Sequence, residues 1–233
     1  MRTLRLTPEL VARCFRQVAE PETPPEGYTA LDEDAIMARG AELLAEAREA
    51  GTDPIWIFAY GSLIWKPVFA PVEARRARAW GWRRAFSIEL NSWRATPEAP
   101  GLMMALAAGG SCAGLAYRLD PATQEADLVE LVRRETPFHE LAHNARWINA
   151  ATPEGPIRAL TFYASPVGVP VRRMPDEETA AWIARACGHA GSCAEYLYNT
   201  VAHLESEGIH DRHLWRLQQL VAEEIAGWGP GGP

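Results

Sequence analysis

The run Ile55-Trp56-Ile57-Phe58-Ala59, continuing as Tyr60-Gly61-Ser62-Leu63-Ile64-Trp65, decides how this chain is read. Its first half is apolar, aromatic and β-branched, the pattern of a buried strand. At Gly61-Ser62 the strand turns. Glycine has no Cβ, so the backbone can bend sharply there and a ligand can approach it closely. Such a turn leaves several peptide N–H groups pointing one way, which suits an anionic or carbonyl oxygen. By turn chemistry alone, a Gly-Ser turn after a buried strand is more often only a turn.

Outward from this run the strand pattern continues. Residues 84–90, 102–107, 113–119, 146–151 and 158–164 are short, apolar or alternating, and bounded by Gly, Pro and Asn. With 55–59 they predict one mixed or antiparallel sheet or barrel. One helix interrupts them at 121–134, entered through Asp120-Pro121, with Leu128, Leu131 and Val132 on its buried side. Upstream, Thr7 and Pro8 open a helix that should reach about residue 18, and Pro21, Pro24 and Pro25 make an extended linker. Asp32 caps a helix over 33–49, ended by Gly51, with Ile36, Leu43, Leu44 and Ala47 at helical spacing. Downstream, Asp176 caps 177–187, Gly191-Ser192 opens 193–208, and Asp211 caps 212–227. The fold class is therefore α+β, a central β body with helices before and after it. The expected division is a helical N-terminal extension over 1–52, the main domain over 53–227, and a Gly/Pro-rich flexible tail over 228–233.

The length of 233 residues, with 48% hydrophobic and 23% charged, suits one sizeable domain with helical additions. A net charge of −7 argues against a nucleic-acid partner. Arg75-Arg76-Ala77-Arg78 and Arg83-Arg84, interleaved with Trp80 and Trp82, read as a solvated strand edge that resists aggregation rather than as a stacking platform for bases. No stretch approaches the ~20 apolar residues of a membrane span, and the N-terminal residues carry no long apolar core, so a cytoplasmic protein is expected. Cys14, Cys112, Cys187 and Cys193 form no Cys-x-x-Cys pair and read as reduced structural thiols; nothing supports a Cys187–Cys193 bridge.

Two stretches could carry chemistry. Glu135 follows Arg133-Arg134 at the end of the middle helix. The negative end of the helix dipole and partial burial would both raise its pKa toward a value useful for proton transfer; on the surface it would simply pair with an arginine. His139-Glu140-Leu141-Ala142-His143 matches the His-Glu-x-x-His signature of zinc hydrolases. On an α-helix the two histidines would share a face and Glu140 would be the general base, with Glu154 and His189 as arbitrary candidates for the missing third ligand. The run into Trp147-Ile148 looks instead like a short connection entering a strand. His189, His203, His210 and His213 sit among amphipathic helices. No Gly-rich phosphate loop, nucleophile elbow or dinucleotide fingerprint occurs.

Taken in order, several stretches resemble the ChaC-like gamma-glutamylcyclotransferases. They are Phe58-Ala59-Tyr60-Gly61-Ser62-Leu63-Ile64-Trp65-Lys66-Pro67, Trp93-Arg94-Ala95-Thr96-Pro97, Pro100-Gly101-Leu102, Cys112-Ala113-Gly114-Leu115-Ala116-Tyr117-Arg118, Arg133-Arg134-Glu135, Ala159-Leu160-Thr161-Phe162, Gly191-Ser192-Cys193-Ala194-Glu195-Tyr196-Leu197, and Asp211-Arg212-His213-Leu214-Trp215-Arg216-Leu217. The resemblance covers roughly 56–221. It implies a small gamma-glutamylcyclotransferase-like β-barrel or sheet flanked by helices. It also implies release of 5-oxoproline and cysteinylglycine from glutathione, or of 5-oxoproline and a free amine from another γ-glutamyl compound. The implied catalytic carboxylate is Glu135; the implied substrate-binding residues are Tyr60, Gly61, Ser62, Leu63 and Tyr196; no metal or organic cofactor is implied. Thr136-Pro137 depart from the Met and Tyr usual after the Glu in similar proteins, across a slightly longer loop. Two other readings stay open: a zinc-dependent hydrolase using His139, Glu140 and His143, and a non-catalytic binder of γ-glutamyl ligands.

Overall fold

The structure, a computed structural model, describes residues 3–165, 167 and 170–229; residues 230–233 of the expected tail lie outside them. In chain order the elements are α1 (Pro8–Arg13), α2 (Glu33–Glu49), β1 (Trp56–Ala59), α3 (Ser62–Trp65), β2 (Glu73–Leu90), β3 (Gly101–Arg118), α4 (Gln124–Glu135), a 3₁₀ helix (His139–Asn144), β4 (Ala145–Thr152), β5 (Gly155–Phe162), α5 (Asp176–Arg185), β6 (Cys187–Gly188), β7 (Gly191–Ser192), α6 (Cys193–Ser206) and α7 (Arg212–Ala226). Two units form: Glu26–Ala85 with Ala105–Val169, and Met1–Pro25 with Phe86–Met104 and Pro170–Pro233.

The first unit holds the barrel, closed in the order β1-β3-β2-β4-β5. β1 runs antiparallel to β3, from Trp56↔Arg118 to Ala59↔Leu115, and parallel to β5 at Ile57↔Leu160. β4 is antiparallel to both β2 and β5. The interior combines Phe58, Leu106 and Ile148 with small residues such as Ala77, Ala79 and Ala150. The small residues let a narrow barrel close without voids or overlap. The closest approach is at Gly114, where a Cβ would lie 2.4 Å from Ala59 O and 3.0 Å from the Phe58 ring. Gly114→Ala is therefore expected to destabilise the protein by about 1–3 kcal/mol, because backbone rather than a flexible side chain must give way. An unchanged denaturant midpoint would refute that packing.

On the same unit α2 lies against α4. Gly40 permits the approach, since a Cβ there would meet Val129 Cγ2 at 2.8 Å. Arg133 grips Glu33 with both terminal nitrogens, at 2.6 and 2.9 Å, and the Trp147 indole N–H donates to Glu46 at 2.8 Å. Asp32 caps α2 on Ala35 N–H at 2.8 Å, as its sequence predicts.

In the second unit α7 buries Leu214, Leu217, Val221 and Ile225 on one face. Asp211 caps it on the N–H groups of His213 and Leu214, both at 3.1 Å. Ser192 caps α6 on Glu195 N–H at 3.0 Å. β6 and β7 make a short antiparallel hairpin. The buried Gln218 side chain accepts from Leu6 N–H at 2.8 Å.

Several boundaries differ from the sequence reading, each for a physical reason. The segments 102–107 and 113–119 are one strand, β3, because Gly109 and Gly110 bend it at φ +96° and +80° instead of ending it. β2 starts at Glu73, not at 84; its first half turns Ala77 and Ala79 inward and arginines outward, so it lacked an apolar signal. α1 stops at Arg13, well short of 18. Asp176 is the first residue of α5 rather than its cap, and its carboxylate instead meets His213 and Arg216 at 3.2 and 3.1 Å. All four cysteines are free and buried. Among the described residues no helix is long and apolar enough to cross a membrane.

Candidate active site

The loop after β1 is built by the end of a ladder. Thr161 Oγ1 donates to Phe58 O at 2.9 Å, anchoring the strand one residue before it leaves the sheet. The β1–β3 register ends at Ala59↔Leu115. The chain then makes the single helical turn α3, with Gly61 at its N-cap. Ile64 N–H donates to Gly61 O at 2.9 Å and Lys66 N–H to Ser62 O at 2.7 Å. The first N–H groups of such a turn have no intrahelical partner and face its N-terminal side. Leu63 is buried, and Tyr60 packs partly buried against the barrel core.

Arg84 holds this loop from below, a role sequence reasoning missed. The Arg83-Arg84 pair was expected on a solvated strand edge. Arg83 conforms, being exposed on β2, whereas Arg84 is only 4% exposed. Its Nε donates to Tyr60 O at 2.7 Å and its Nη2 to Ala113 O. One planar guanidinium thus spans from β2 across β3 to the point where β1 ends, which a lysine could not do. The available signal was the strand alternation, which puts Arg84 on the same face as Phe86. Two other arginines of the cluster stack or pair: Arg75 lies 4.7 Å over Trp56 and 2.5 Å from Glu73, and Arg78 lies 5.5 Å over Trp80.

Glu135 is the last residue of α4. Its side chain is 22% exposed, and Arg134 Nε lies 3.2 Å from its Oε1. Burial pushes its pKa above the usual carboxylate range, and the Arg134 guanidinium opposes that rise. Arg134 Nη1 also donates to Lys66 O, at the C-terminal end of α3. Glu135 and the C-terminal end of α3, the turn that begins in the loop 60–63, are therefore joined through one side chain within one unit.

Tyr196 lies on α6, in the other unit, and is 5% exposed. Its ring meets Phe86 edge-on at 6.1 Å, and the Arg94 guanidinium sits 5.6 Å over it. Arg94 is itself held by Glu195 at 2.7 Å and Ser192 O at 2.8 Å.

The His-Glu-x-x-His stretch forms a 3₁₀ helix, not an α-helix. At about 3.0 residues per turn, positions four apart diverge by roughly a third of a turn, so His139 and His143 do not share a face. Glu140 accepts Thr29 N–H at 2.9 Å, which keeps its carboxyl below the usual range. Residues 28–31 strap this whole loop: Leu31 N–H donates to Pro137 O at 2.9 Å, His139 N–H to Thr29 O at 3.0 Å, and Tyr28 packs on Phe138 at 5.2 Å. Glu154 pairs with Arg75 at 3.8 Å. Among the described residues no three His, Cys, Asp or Glu side chains gather to hold a metal ion. The motif's residues are thus arranged as a strapped connection into β4.

With this geometry in view, residues 55–224 match the family model described as ChaC-like protein. The chain belongs to the ChaC-like family. The glutathione-specific gamma-glutamylcyclotransferase of Escherichia coli K12 is 32% identical to it over 235 residues, covering 96% of this chain and 97% of the relative. Gamma-glutamylcyclotransferase 2-3 of Arabidopsis thaliana is 30% identical over 175 residues, covering 72% and 88%. Among solved structures, the gamma-glutamyl cyclotransferase specific to glutathione from yeast matches with TM-score 0.65 at 19% identity, over 73% of this chain and 96% of that one. That likeness shows the gamma-glutamylcyclotransferase fold, as the ordered motifs imply. Thr136, which follows Glu135, is buried, with its N–H on Val132 O at 2.9 Å. The strap over the loop that follows comes from residues outside the family match.

Proposed function

We propose that this chain is a glutathione-specific gamma-glutamylcyclotransferase, a lyase that releases 5-oxoproline and cysteinylglycine. The observation that carries the proposal is the placement of Glu135, a half-buried carboxylate at the end of α4, whose partner Arg134 also donates to Lys66 O at the end of α3, the turn that begins in the loop 60–63. The likeness to the Escherichia coli enzyme over nearly the whole chain supports glutathione as substrate.

The reaction is an intramolecular aminolysis. The α-amine of the γ-glutamyl group forms a C–N bond to its own side-chain carbonyl carbon, and that carbon's bond to the cysteine nitrogen breaks. No water is consumed. Ring closure requires the chain folded on itself, so positioning carries much of the acceleration. The N–H groups of Gly61, Ser62 and Leu63 steady the γ-glutamyl oxygens, with Tyr60 beside them. Ionised Glu135 takes a proton from the α-ammonium and passes one to the leaving nitrogen. Tyr196 is assigned to orient a substrate carboxylate, on the family resemblance alone. Residues 53–227 are taken as the catalytic domain and 1–52 as an N-terminal extension, a division supported by the family match over 55–224. Four free cysteines and a net charge of −7 support a cytoplasmic enzyme of small molecules rather than of nucleic acid.

Glutathione incubated with the protein, with and without a chelator, tests the proposal. Equal amounts of 5-oxoproline and cysteinylglycine in both samples are expected. Loss of turnover with chelator would restore the zinc-hydrolase reading, and glutathione binding without product would favour a non-catalytic binder.

A further inference from the structure

We infer that Arg134 is a positioning residue for this reaction, a clamp whose one guanidinium holds both the Glu135 carboxylate and Lys66 O at the end of α3, the turn that begins in the substrate loop. The inference rests on the reading of Glu135 as the proton carrier. Neighbouring residues on a helix point about 100° apart and do not face each other. Arg134 meets its neighbour only by folding back, which brings Nε to 3.2 Å from Glu135 Oε1. The fork then has a second arm to offer, and Nη1 uses it on Lys66 O. Lys66 is the C-cap of α3, so the arm reaches the loop 60–63 through one helical turn. The adjacent Arg133 is used differently, pairing with Glu33 to tie α4 to α2.

Several charged groups on the surrounding elements are engaged elsewhere. On α2, Glu33 meets Arg133, and Glu42 and Glu46 meet Arg39 at 2.9 and 3.2 Å. On α4 itself, Glu130 meets Arg133 at 3.4 Å. The 3₁₀ helix contributes Glu140, on Thr29 N–H, and His139; the end of α3 contributes the Lys66 ammonium. Arg134 is a cation in contact with Glu135. Two consequences follow. The carboxylate is aimed by a side chain that also senses where the loop is, which is how a supporting contact holds a reacting group in productive geometry. The guanidinium also works against burial, which by itself favours the protonated acid.

The test compares kcat and KM for glutathione across pH in the wild type, Arg134→Lys, Arg134→Gln and Glu135→Gln, each checked by thermal melting. Arg134→Gln removes the charge, so the Glu135 pKa rises. The acid limb of the rate profile then moves to higher pH, and the deficit shrinks as pH rises. Its kcat is expected to fall about 10–10²-fold through misplacement of the carboxylate, with KM changed less. Arg134→Lys keeps a charge but not the fork, so its kcat falls while its acid limb stays with the wild type. This variant also reads the proposal should Arg134→Gln fail to fold. A loss in KM alone, or wild-type kcat and acid limb in Arg134→Gln, would overturn the inference while an inactive Glu135→Gln left Glu135 in place. Wild-type turnover in Glu135→Gln would instead overturn the reading of Glu135 itself.

Discussion

Glu135→Gln is expected to lower kcat for glutathione by ~10²–10⁴, the range that a positioned acid–base group supplies. The substitution keeps the shape of the side chain and removes only its ability to ionise. It does so at a position whose side chain is 22% exposed and meets Arg134 at 3.2 Å, so the fold should survive. Without a carboxylate nothing at this position takes the α-ammonium proton, and an ammonium has no lone pair with which to attack. The leaving nitrogen loses its proton source at the same time. Because the group acts in the transition state, KM should change far less than kcat. Turnover at the wild-type rate, measured with melting curves that show a folded variant, would refute the assignment.

Arg84→Met is expected to have the second largest effect, and on two readouts. The methionine fills much of the space but donates nothing. Tyr60 O and Ala113 O then lose charge-assisted hydrogen bonds from a buried guanidinium. Each such group left without its donor costs about 1–3 kcal/mol, so the thermal midpoint should fall clearly. Activity should fall further than stability explains, because Tyr60 O marks the point where β1 passes into the loop 60–63. Arg84→Lys should recover part of the stability and little of the activity, since a compact ammonium cannot serve both carbonyls in one plane. Full activity in a folded Arg84→Met would show that the loop holds its shape without this anchor.

The extent to which the sequence carried this structure varies by element. α2 and α7 were readable because caps and periodicity agreed: Asp32 and Asp211 cap where expected, and the apolar positions fall on one face. The loop 60–63 and Glu135 were singled out through ordered motifs, and in the structure Arg134 links Glu135 to Lys66 O at the end of α3, a link that no spacing rule contains. Arg84 was misjudged because a charged residue beside another reads as surface, although alternation along the strand placed it inward. β3 was split in two because Gly109-Gly110 normally ends a strand, and here positive φ at both positions lets it bend and continue. The His-Glu-x-x-His stretch carried a true motif pattern on the wrong helix type. The strap from residues 28–31 that holds this stretch is a pairing distant in sequence that local patterns do not reveal.

The most direct measurement is the fate of glutathione in water enriched in ¹⁸O. Attack by the substrate's own amine expels cysteinylglycine and closes the ring without water, so 5-oxoproline should accumulate in equal amount to cysteinylglycine and carry no solvent oxygen. Free glutamate bearing ¹⁸O would contradict this directly, because it would mean that water, and not the α-amine, attacks the γ-carbonyl.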